Sequence, residues 1–444
     1  MAWLLAVAGF VTAPAQVSFS GNVKPVCEVV PSKSTGLDKI YVLHSAAGVG
    51  MSYEASSDAP VKWYAYGEGG GGYATEVEGV TASGRVTTLP AVAADRGYII
   101  EEGVKRTYVW LTDYSKCRLT LKELAAEAAS DCGTATLKVD GSGAEMSYYT
   151  ITGVHKTLER GMRLEYKTLV WSDTDLAWEQ TDTTEVEDEF KSTIVLPVPL
   201  CNTTFTLKGD KFLEFWDEAE SAVSDVYETS AVDVKTTAEQ EARDVDNEKK
   251  NNQDDSALGG SAPVKITFKA YPTDAVVHKE WQMATDPDFN NIELRLADET
   301  VEQEFDEAGT FYWRFFGANG DGSCEAYSDV YTVNIGTSEL LCPNVFSPGS
   351  SEGVNDVWKV SYKSIVQFKC WIYNRWGNQI TTFDDPAQGW DGTYGGKLVK
   401  PGVYYYVIQA TGADGKKYKL KGDINIIRYK EGLGGGVSSG TDGQ

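Results

Sequence analysis

Short runs of β-branched and aromatic residues, bounded by turn-forming residues, recur along the whole chain and predict β-strands. In the first part of the chain such runs lie at 39–43, 61–66 and 107–112, and a further run lies at 163–171. Glycine, asparagine and proline residues separate them, including four consecutive glycines at 69–72. Short strands at this spacing are typical of β-sandwiches. We therefore predict an all-β protein.

The pattern divides the chain of 444 residues into eight segments. They are a signal peptide at 1–15, an Ig-like β-sandwich at 16–116, a helical connector at 117–132, a second β-sandwich at 133–226, a charged flexible linker at 227–261, a third β domain at 262–340, a C-terminal domain at 341–430 and a disordered tail at 431–444. The predicted fold is a tandem array of Ig-like or PKD-like sandwiches that ends in a small C-terminal β-sandwich.

Two segments depart from the strand pattern. Residues 119–130 are rich in Leu, Ala, Glu and Lys, which favour helix, and they account for the predicted helical connector. Residues 227–261 contain almost no large apolar side chains. Such a segment cannot bury enough surface to offset the entropy lost on ordering, so we predict a flexible linker.

The third domain shows a recognisable order of motifs. Trp281 is followed by Asp-Pro-Asp-Phe at 286–289 and by Ala-Gly-Thr-Phe-Tyr at 308–312. This order resembles PKD-like or fibronectin-like surface repeats. The resemblance implies a further β domain between the linker and the C-terminal domain.

The last ninety residues combine aromatic runs of strand length with turn sequences. The runs lie at 365–374, 403–410 and 424–429. The segments at 375–378 and 413–416 contain glycine and asparagine or aspartate, which suit tight hairpins because glycine and asparagine tolerate positive φ. We predict a small sandwich here.

Six short motifs in this region occur in the order and spacing of a known family. They are NVFSP at 344–348, GVNDVW at 353–358, IYNRWG at 372–377, GWDG at 389–392, PGVYYY at 401–406 and GDI at 422–424. The set resembles the gliding-motility-associated C-terminal domain, a type B C-terminal signal of the type IX secretion system of Bacteroidota. The resemblance implies the following signal residues: Phe346, Pro348, Gly353, Asn355, Asp356, Asn374, Arg375, Trp376, Gly377, Trp390, Asp391, Gly392, Pro401, Gly402, Tyr404, Gly422 and Asp423.

The resemblance also implies a partner, which is an outer-membrane secretion translocon or a shuttle protein. One loop departs from the family, which often has Asn-Gly-Asp-Gly after its Phe-Ser/Thr-Pro motif, whereas this chain has Gly-Ser-Ser-Glu-Gly at 349–353. This departure weakens the case for calcium at that loop. The shortened loop and the lysine-containing stretches at 359–363 and 397–402 resemble PorA-like surface proteins.

Charge is distributed unevenly along the chain. The segment Cys342–Lys430 contains 12 Lys and Arg against 7 Asp and Glu, so it carries +5, and the remainder of a chain of net charge -25 carries -30. An acidic body argues against nucleic acid as its partner, so we expect none. The basic end favours an acidic partner or an anionic membrane surface. Within it, Lys397, Lys400, Lys416, Lys417 and Lys419 are the basic residues that we expect to contribute to recognition.

Several features predict export. An apolar stretch at 4–11 precedes Ala-Pro-Ala at 13–15, the pattern of a signal-peptidase site, and no stretch is long enough to span a membrane. Seven cysteines in an exported chain favour disulfides with one thiol left over. By domain position we pair Cys27 with Cys117, Cys132 with Cys201 and Cys324 with Cys342, leaving Cys370 free.

The sequence offers no catalytic or cofactor-binding motif. The three histidines, His44, His155 and His278, lie in three different predicted domains, and no metal-binding or phosphate-binding pattern occurs. We therefore expect no catalytic residues, no cofactor and no metal. The expected function is that of a non-enzymatic exported surface protein with a type IX signal, associated with the secretion system as PorA-like proteins are. The alternative is an adhesin carried as type IX cargo, with a surface glycan or a protein as its ligand.

Overall fold

Strands dominate the computed structural model, which describes residues 16–21, 24–128, 131–250, 257–350 and 353–427. Within these ranges, the only α-helix has five residues, and three short 3₁₀ turns accompany it. The prediction of an all-β protein is confirmed. The predicted signal peptide at 1–15 and tail at 431–444 lie outside the described residues. The described residues form two units, one within 1–172 and 178–231 and the other within 173–177 and 232–444.

The first part of unit 1 contains ten strands. They are β1 (Gln16–Gly21), β2 (Cys27–Val29), β3 (Lys39–Leu43), β4 (Val49–Glu54), β5 (Val61–Tyr66), β6 (Thr75–Glu76), β7 (Thr81–Ser83), β8 (Val86–Leu89), β9 (Arg96–Glu102) and β10 (Lys105–Asp113), with 3₁₀ turns at Lys33–Thr35, Gly71–Tyr73 and Tyr114–Lys116. A four-stranded sheet has the order β1-β4-β8-β7, and a six-stranded sheet has the order β2-β3-β10-β9-β5-β6. β10 runs parallel to β3 and antiparallel to β9.

The second part of unit 1 adds nine strands and the helix. They are β11 (Thr120–Ala126), β12 (Thr134–Ser142), β13 (Ser147–Tyr149), β14 (His155–Thr157), β15 (Met162–Ser172), β16 (Ala177–Glu187), β17 (Thr193–Pro197), β18 (Thr206–Lys208), α1 (Lys211–Phe215) and β19 (Ser221–Val223). The larger sheets have the orders β11-β12-β17 and β16-β15-β18-β19. The Asp210 side chain caps α1 by accepting a hydrogen bond from the Leu213 amide.

The predicted helical connector at 117–132 is wrong, because residues 120–126 within it form the strand β11. This strand pairs antiparallel with β12, placing Leu124 opposite Val139. Leu124 is 3% exposed and packs in the core. Helix propensity is a weak preference of tenths of a kcal/mol per residue, and burial together with strand pairing outweighs it.

The two sandwiches of unit 1 share one hydrophobic core. Ile40, Trp110 and Tyr114 of the first part belong to the same buried cluster as Leu137 and Phe212 of the second part. The Tyr114 hydroxyl also donates to the buried Asp210 carboxylate at 3.0 Å. Residues 16–231 are therefore one packed body rather than two separate sandwiches.

The first part of unit 2 contains nine strands. They are β20 (Val234–Gln240), β21 (Leu258–Gly260), β22 (Val264–Pro272), β23 (His278–Ala284), β24 (Leu294–Leu296), β25 (Thr300–Phe305), β26 (Gly309–Ala318), β27 (Glu325–Tyr327) and β28 (Tyr331–Ile335). Two sheets, β20-β22-β25 and β21-β28-β26-β23-β24, enclose a core in which the Phe268 and Trp313 rings stack at 4.7 Å.

The predicted flexible linker at 227–261 is also wrong over its described residues. β20 pairs with β22 over seven residues, and β21 pairs in parallel with β28. Val234 of β20 is buried beside the aromatic core of this domain. A few apolar residues suffice here because the neighbouring domains supply the rest of the buried surface.

The second part of unit 2 is the C-terminal module, with eleven strands. They are β29 (Glu339–Leu341), β30 (Val345–Phe346), β31 (Trp358–Lys359), β32 (Ser361–Lys363), β33 (Ile365–Tyr373), β34 (Gln379–Phe383), β35 (Gly389–Trp390), β36 (Thr393–Tyr394), β37 (Lys397–Leu398), β38 (Gly402–Gly412) and β39 (Lys417–Ile426). The main sheet has the order β30-β39-β38-β33-β34, and three two-stranded ribbons, β29-β32, β31-β35 and β36-β37, complete the module.

Residues 243–250, which we call the strap, connect this module to the preceding domain. The Lys249 amide donates to the Tyr362 carbonyl at 2.8 Å, and the Tyr362 amide donates to the Asn247 carbonyl at 3.1 Å. The Asn247 side-chain amide donates to the carbonyls of Val360 and Pro386, at 2.8 Å each. The strap thus adds backbone pairing at the edge of β32.

The disulfides expected from the sequence are not formed. The expected pairs were Cys27–Cys117, Cys132–Cys201 and Cys324–Cys342, but Cys27, Cys117, Cys201, Cys342 and Cys370 are free and only Cys132 and Cys324 are disulfide-bonded. Strand register explains part of this result, since Cys27 lies opposite Val42 of β3. The Cys117 thiol is buried and lies 3.5 Å from the Tyr114 carbonyl oxygen. Domain position alone does not bring cysteine side chains within bonding distance.

Candidate functional site

The aromatic residues of the C-terminal motifs pack against one another inside the module. The Trp390 ring lies 5.4 Å from that of Phe346 and 5.2 Å from that of Tyr404. The Trp358 ring lies 5.3 Å from that of Tyr406. Both indoles are buried and donate to carbonyls, Trp358 to Pro343 at 2.7 Å and Trp390 to Thr393 at 2.9 Å. These motif aromatics build the fold.

Two motif glycines lie against neighbouring side chains that leave little room for a Cβ. Gly392 has φ of 74°, and a Cβ there would lie 2.7 Å from Cγ of Pro348. A Cβ at Gly422 would lie 2.6 Å from the Tyr406 hydroxyl. Pro348 and Gly392 therefore hold two loops together, which explains their place in the signal motif.

Asp356 organises the loop that follows Pro348. One of its carboxylate oxygens accepts the Gly349 amide at 2.8 Å, and the other accepts the Gly353 amide at 2.7 Å. The Asn355 carbonyl accepts the Ser347 amide at 2.9 Å. The carboxylate is thus used by its own loop.

The remaining polar motif residues stabilise turns and strand ends. Asp391 accepts the Thr393 amide at 2.9 Å, and Asp423 accepts the Asn425 side-chain amide at 2.7 Å. The Tyr404 hydroxyl donates to the Lys400 carbonyl at 3.0 Å. Pro401 directly precedes β38, which begins at Gly402 with φ of 146°.

The hairpin between β33 and β34 presents an exposed tryptophan. The Asn374 side-chain oxygen accepts the amides of Trp376 and Asn378 at 2.9 and 3.0 Å, and Gly377 adopts φ of 83°. The Trp376 side chain is 72% exposed, and the Arg375 guanidinium lies 4.4 Å from its ring. Trp376 is therefore a surface residue, unlike Trp390, although both tryptophans stand beside turn glycines and the sequence suggests the same packing role for both.

The main sheet leaves one side open, which we call the outer face. Four side chains of β33 (Gln367, Lys369, Trp371, Tyr373), five of β38 (Val403, Tyr405, Val407, Gln409, Thr411) and four of β39 (Lys417, Lys419, Lys421, Asp423) form it. Tyr405 lies opposite Tyr373, and Val407 lies between Trp371 and Lys421 in the strand register. Buried residues alternate with these positions, as β-strand geometry requires.

The five lysines that the sequence suggested for recognition lie in different parts of the module. Lys417 and Lys419 lie on the outer face, where Lys369 and Lys421 join them. Lys416 lies in the β38–β39 turn, 4.7 Å from the Tyr418 ring, and Lys397 and Lys400 lie on or after β37. Sequence reasoning missed the exposed Tyr405 and the half-buried Trp371 and Tyr373 as members of this face, although the alternation along β38 could have shown Tyr405.

The cysteines of the module lie close to its core. Burial raises the pKa of Cys370 to about 12, and the nearby Cys342 contributes to this shift. Burial also raises the pKa of Tyr406 to about 12, with a further contribution from its hydrogen bond to Cys342. These thiols are therefore protonated and unreactive near neutral pH.

The described residues contain neither a metal-binding cluster nor a membrane-spanning helix. Among the residues that the structure describes, no group of three or more His, Cys, Asp or Glu side chains could hold a metal ion. No described helix is long and apolar enough to cross a membrane. His44 and His155 lie in unit 1, and His278 lies in unit 2.

Comparison with known families identifies two parts of the chain. Residues 340–426 match the family model of the CHU_C type IX secretion signal domain, and residues 124–224 match that of the fibronectin type III domain. The fold and the module thus define a β-sandwich protein that carries a type IX secretion signal. Such a signal implies export toward the cell surface and interaction with the secretion machinery. The chain has the features of type IX cargo with a fibronectin type III domain.

Comparisons with whole proteins add little. The search of curated proteins found no match. Among solved structures, the three N-terminal domains of the Highly Immunogenic Outer Capsid protein (Hoc) of bacteriophage RB49 are 9% identical, with 70% of this chain and 99% of that chain covered and a TM-score of 0.22. Dimeric latent PorU from Porphyromonas gingivalis is 8% identical, with 73% and 35% covered and a TM-score of 0.16. Scores this low carry no argument.

Proposed function

We propose that this protein is a non-enzymatic surface protein whose C-terminal module is both its type IX secretion signal and its docking module at the outer membrane. The match of residues 340–426 to a type IX signal carries the proposal. Its motif residues fold the module, and this leaves the outer face and the Trp376 hairpin exposed for recognition by a translocon or shuttle protein. The predicted signal peptide supplies passage to the periplasm.

We further propose a secretion-associated role like that of PorA-like surface proteins. The shortened loop at 349–353 and the lysine-containing stretches at 359–363 and 397–402 support it. In cells that lack this protein, export of other type IX cargo should then fall. Normal export of that cargo would indicate that the protein is itself type IX cargo and not part of the secretion system.

Truncation tests the signal role directly. A chain that stops after Leu341 should stay inside the cell envelope, and protease added to intact cells should leave it uncut. A chain that stops after Ile427 keeps every described strand of the module and should still be cut at the surface. If the shorter chain reaches the surface as well, the module is not the export signal.

A groove in the fibronectin type III domain supports the second candidate, an adhesin or glycan-binding protein. Its volume is about 740 Å³, and its lining combines hydroxyl and amide side chains, including Thr183 and Asn202, with the charged side chains of Glu165, Lys167 and Asp182. Such groups can donate to and accept from sugar hydroxyls. A glycan array probed with residues 16–231 tests this function, with an Asn202→Ala variant as the comparison.

A further inference from the structure

The outer face combines two kinds of side chain in an ordered array. Along β39, Lys417, Lys419 and Lys421 point to the same side at intervals of about 7 Å. The neighbouring strand β38 presents Tyr405 and Val407, which are 45% and 37% exposed. A row of cations therefore runs beside a row of flat or apolar side chains.

The aromatic part of the face extends across a third strand. Tyr373 lies directly opposite Tyr405, and Trp371 lies opposite Val407. Directly opposed side chains on one face of a sheet are about 5 Å apart, so these residues form one continuous platform. An aromatic platform can stack on the apolar side of a sugar ring.

The charges of the outer face favour an anionic ligand. Lys369 joins the three lysines of β39, and Lys369 has Asp384 3.9 Å away. Asp423, opposite Tyr405, is the acidic residue of the face itself. Four lysines against these two carboxylates leave an excess of positive charge, which attracts a polyanion more strongly at low salt.

The composition of the outer face favours an anionic polymer over an acidic protein as its ligand. Protein interfaces are depleted in lysine and enriched in arginine, whereas the cations of this face are all lysines. A lysine is a compact, strongly hydrated charge suited to repeated weak contacts with a flexible anionic polymer. Export toward the cell surface removes the protein from nucleic acid and places it among extracellular polymers.

We propose that the outer face binds an acidic polysaccharide, with sugar rings stacked on Trp371, Tyr373 and Tyr405 and carboxylates paired with the lysines of β39. This rests on the proposed surface location. It gives the exported protein a sugar-based attachment in addition to recognition by the secretion machinery.

Binding of purified full-length protein to polygalacturonate, a linear carboxylated sugar polymer, tests the proposal. Fully methyl-esterified polygalacturonate is the control ligand, because it keeps the sugar rings and loses the charge. The protein should bind the acid form, lose about tenfold in affinity as salt rises, and not bind the ester. Equal binding to both forms would overturn the proposal.

Matched variants locate the site. Replacement of Lys417, Lys419 and Lys421 by glutamine should weaken binding about tenfold, whereas the same change at Lys397, Lys400 and Lys416 removes equal charge from the same module and should weaken it less than about twofold. Arginine at the three outer-face positions should retain binding, which controls for folding. Equal losses in both glutamine triples would show general charge attraction and overturn the proposal.

The aromatic platform has its own control. Tyr405→Ala should weaken binding about fivefold, and Tyr394→Ala, which removes a 59% exposed tyrosine of β36, should leave it unchanged. Polyglutamate serves as an acidic protein-like polymer, and binding that equals that of polygalacturonate would instead assign the face to an acidic protein. Because these measurements use purified protein, failure here leaves the truncation test of export unaffected.

Discussion

At the scale of single residues, the motif of the signal domain has two kinds of member. Phe346 and Trp390 are buried and the partly buried Tyr404 packs against them, whereas Trp376 is at the surface. Sequence spacing could identify the motif but could not separate these roles. A tryptophan beside a turn glycine is compatible with either position, and only the surrounding fold decides whether its side chain is buried.

The contact between Gly392 and Pro348 predicts a specific loss of stability. Gly392→Ala should lower the free energy of unfolding of unit 2 by about 2–4 kcal/mol, because it combines positive φ with a steric clash. Gly395→Ala is the matched control, since Gly395 has φ of 56° but nothing within 4 Å of a Cβ. It should cost about 1 kcal/mol. Denaturant unfolding measures both, and equal losses would show that the Pro348 contact is unimportant.

The buried carboxylate of Glu102 predicts pH-dependent stability. Burial tends to raise its pKa, but hydrogen bonds from Ser57, Ser56 and Tyr53 outweigh this effect and lower the pKa from 4.5 to about 2. Because the pKa of Glu102 is lower in the folded state than in the unfolded chain, the ionised carboxylate stabilises the protein at pH values above the unfolded-chain pKa. This stabilisation is lost as the pH falls from about 5 toward 2.

Glu102→Gln should therefore reduce stability by about 1–3 kcal/mol at pH 7, and the difference from the parent should shrink as pH falls from 5 to 2.5. Chemical unfolding at several pH values measures this trend. Glu101→Gln, which changes an adjacent residue ion-paired with Arg106 at the surface, should have little effect at any pH. A difference that stays constant with pH would contradict the proposed role of the carboxylate.

At the scale of elements, the sequence predicted strands well where β-branched and aromatic residues are frequent. It predicted them poorly where pairing with a distant strand determines the local conformation. Residues 163–171 lie in β15, as their β-branched and aromatic composition predicted. β11 has a composition that favours helix, but it forms a strand because it pairs with β12 and buries Leu124 in the shared core. Long-range pairing of this kind leaves no local signal in the sequence.

The strap is a second segment whose structure depends on distant partners. Its polar composition predicts a flexible linker, yet it is hydrogen-bonded to the module. Asn247→Ala removes two hydrogen bonds from the strap to the module and should cost about 1–2 kcal/mol in unit 2. Hydrogen exchange should show the Lys249 and Tyr362 amides protected in the parent and faster in the variant. The Asn291→Ala variant, at an exposed position, is the control. Fast exchange of both amides in the parent would mean that the strap is not bound.

At the scale of the molecule, the shared core of unit 1 decides what can fold alone. The fibronectin type III match begins at residue 124, yet Leu137 and Phe212 pack in one cluster with Trp110 and Tyr114 of the preceding sandwich. A boundary drawn from sequence at 116 or 133 therefore cuts through buried surface.

We predict that residues 16–231 unfold in a single cooperative transition and that the fragment 117–231 is much less stable. The fragment exposes apolar surface that Trp110 and its neighbours cover in the parent. Thermal unfolding followed by circular dichroism compares the two proteins. A fragment that melts as sharply and at the same temperature as the longer protein would show that the two sandwiches are independent.

The strap also limits the module as a portable tag for protein export. A reporter fused directly to residue 340 would carry the whole matched signal but would lack Asn247, which contacts the module at Val360 and Pro386. The same reporter fused at residue 232 would bring the strap and its supporting domain with it. We expect the longer tag to deliver more folded reporter, so the useful boundary of the signal lies about a hundred residues before the start of its family match.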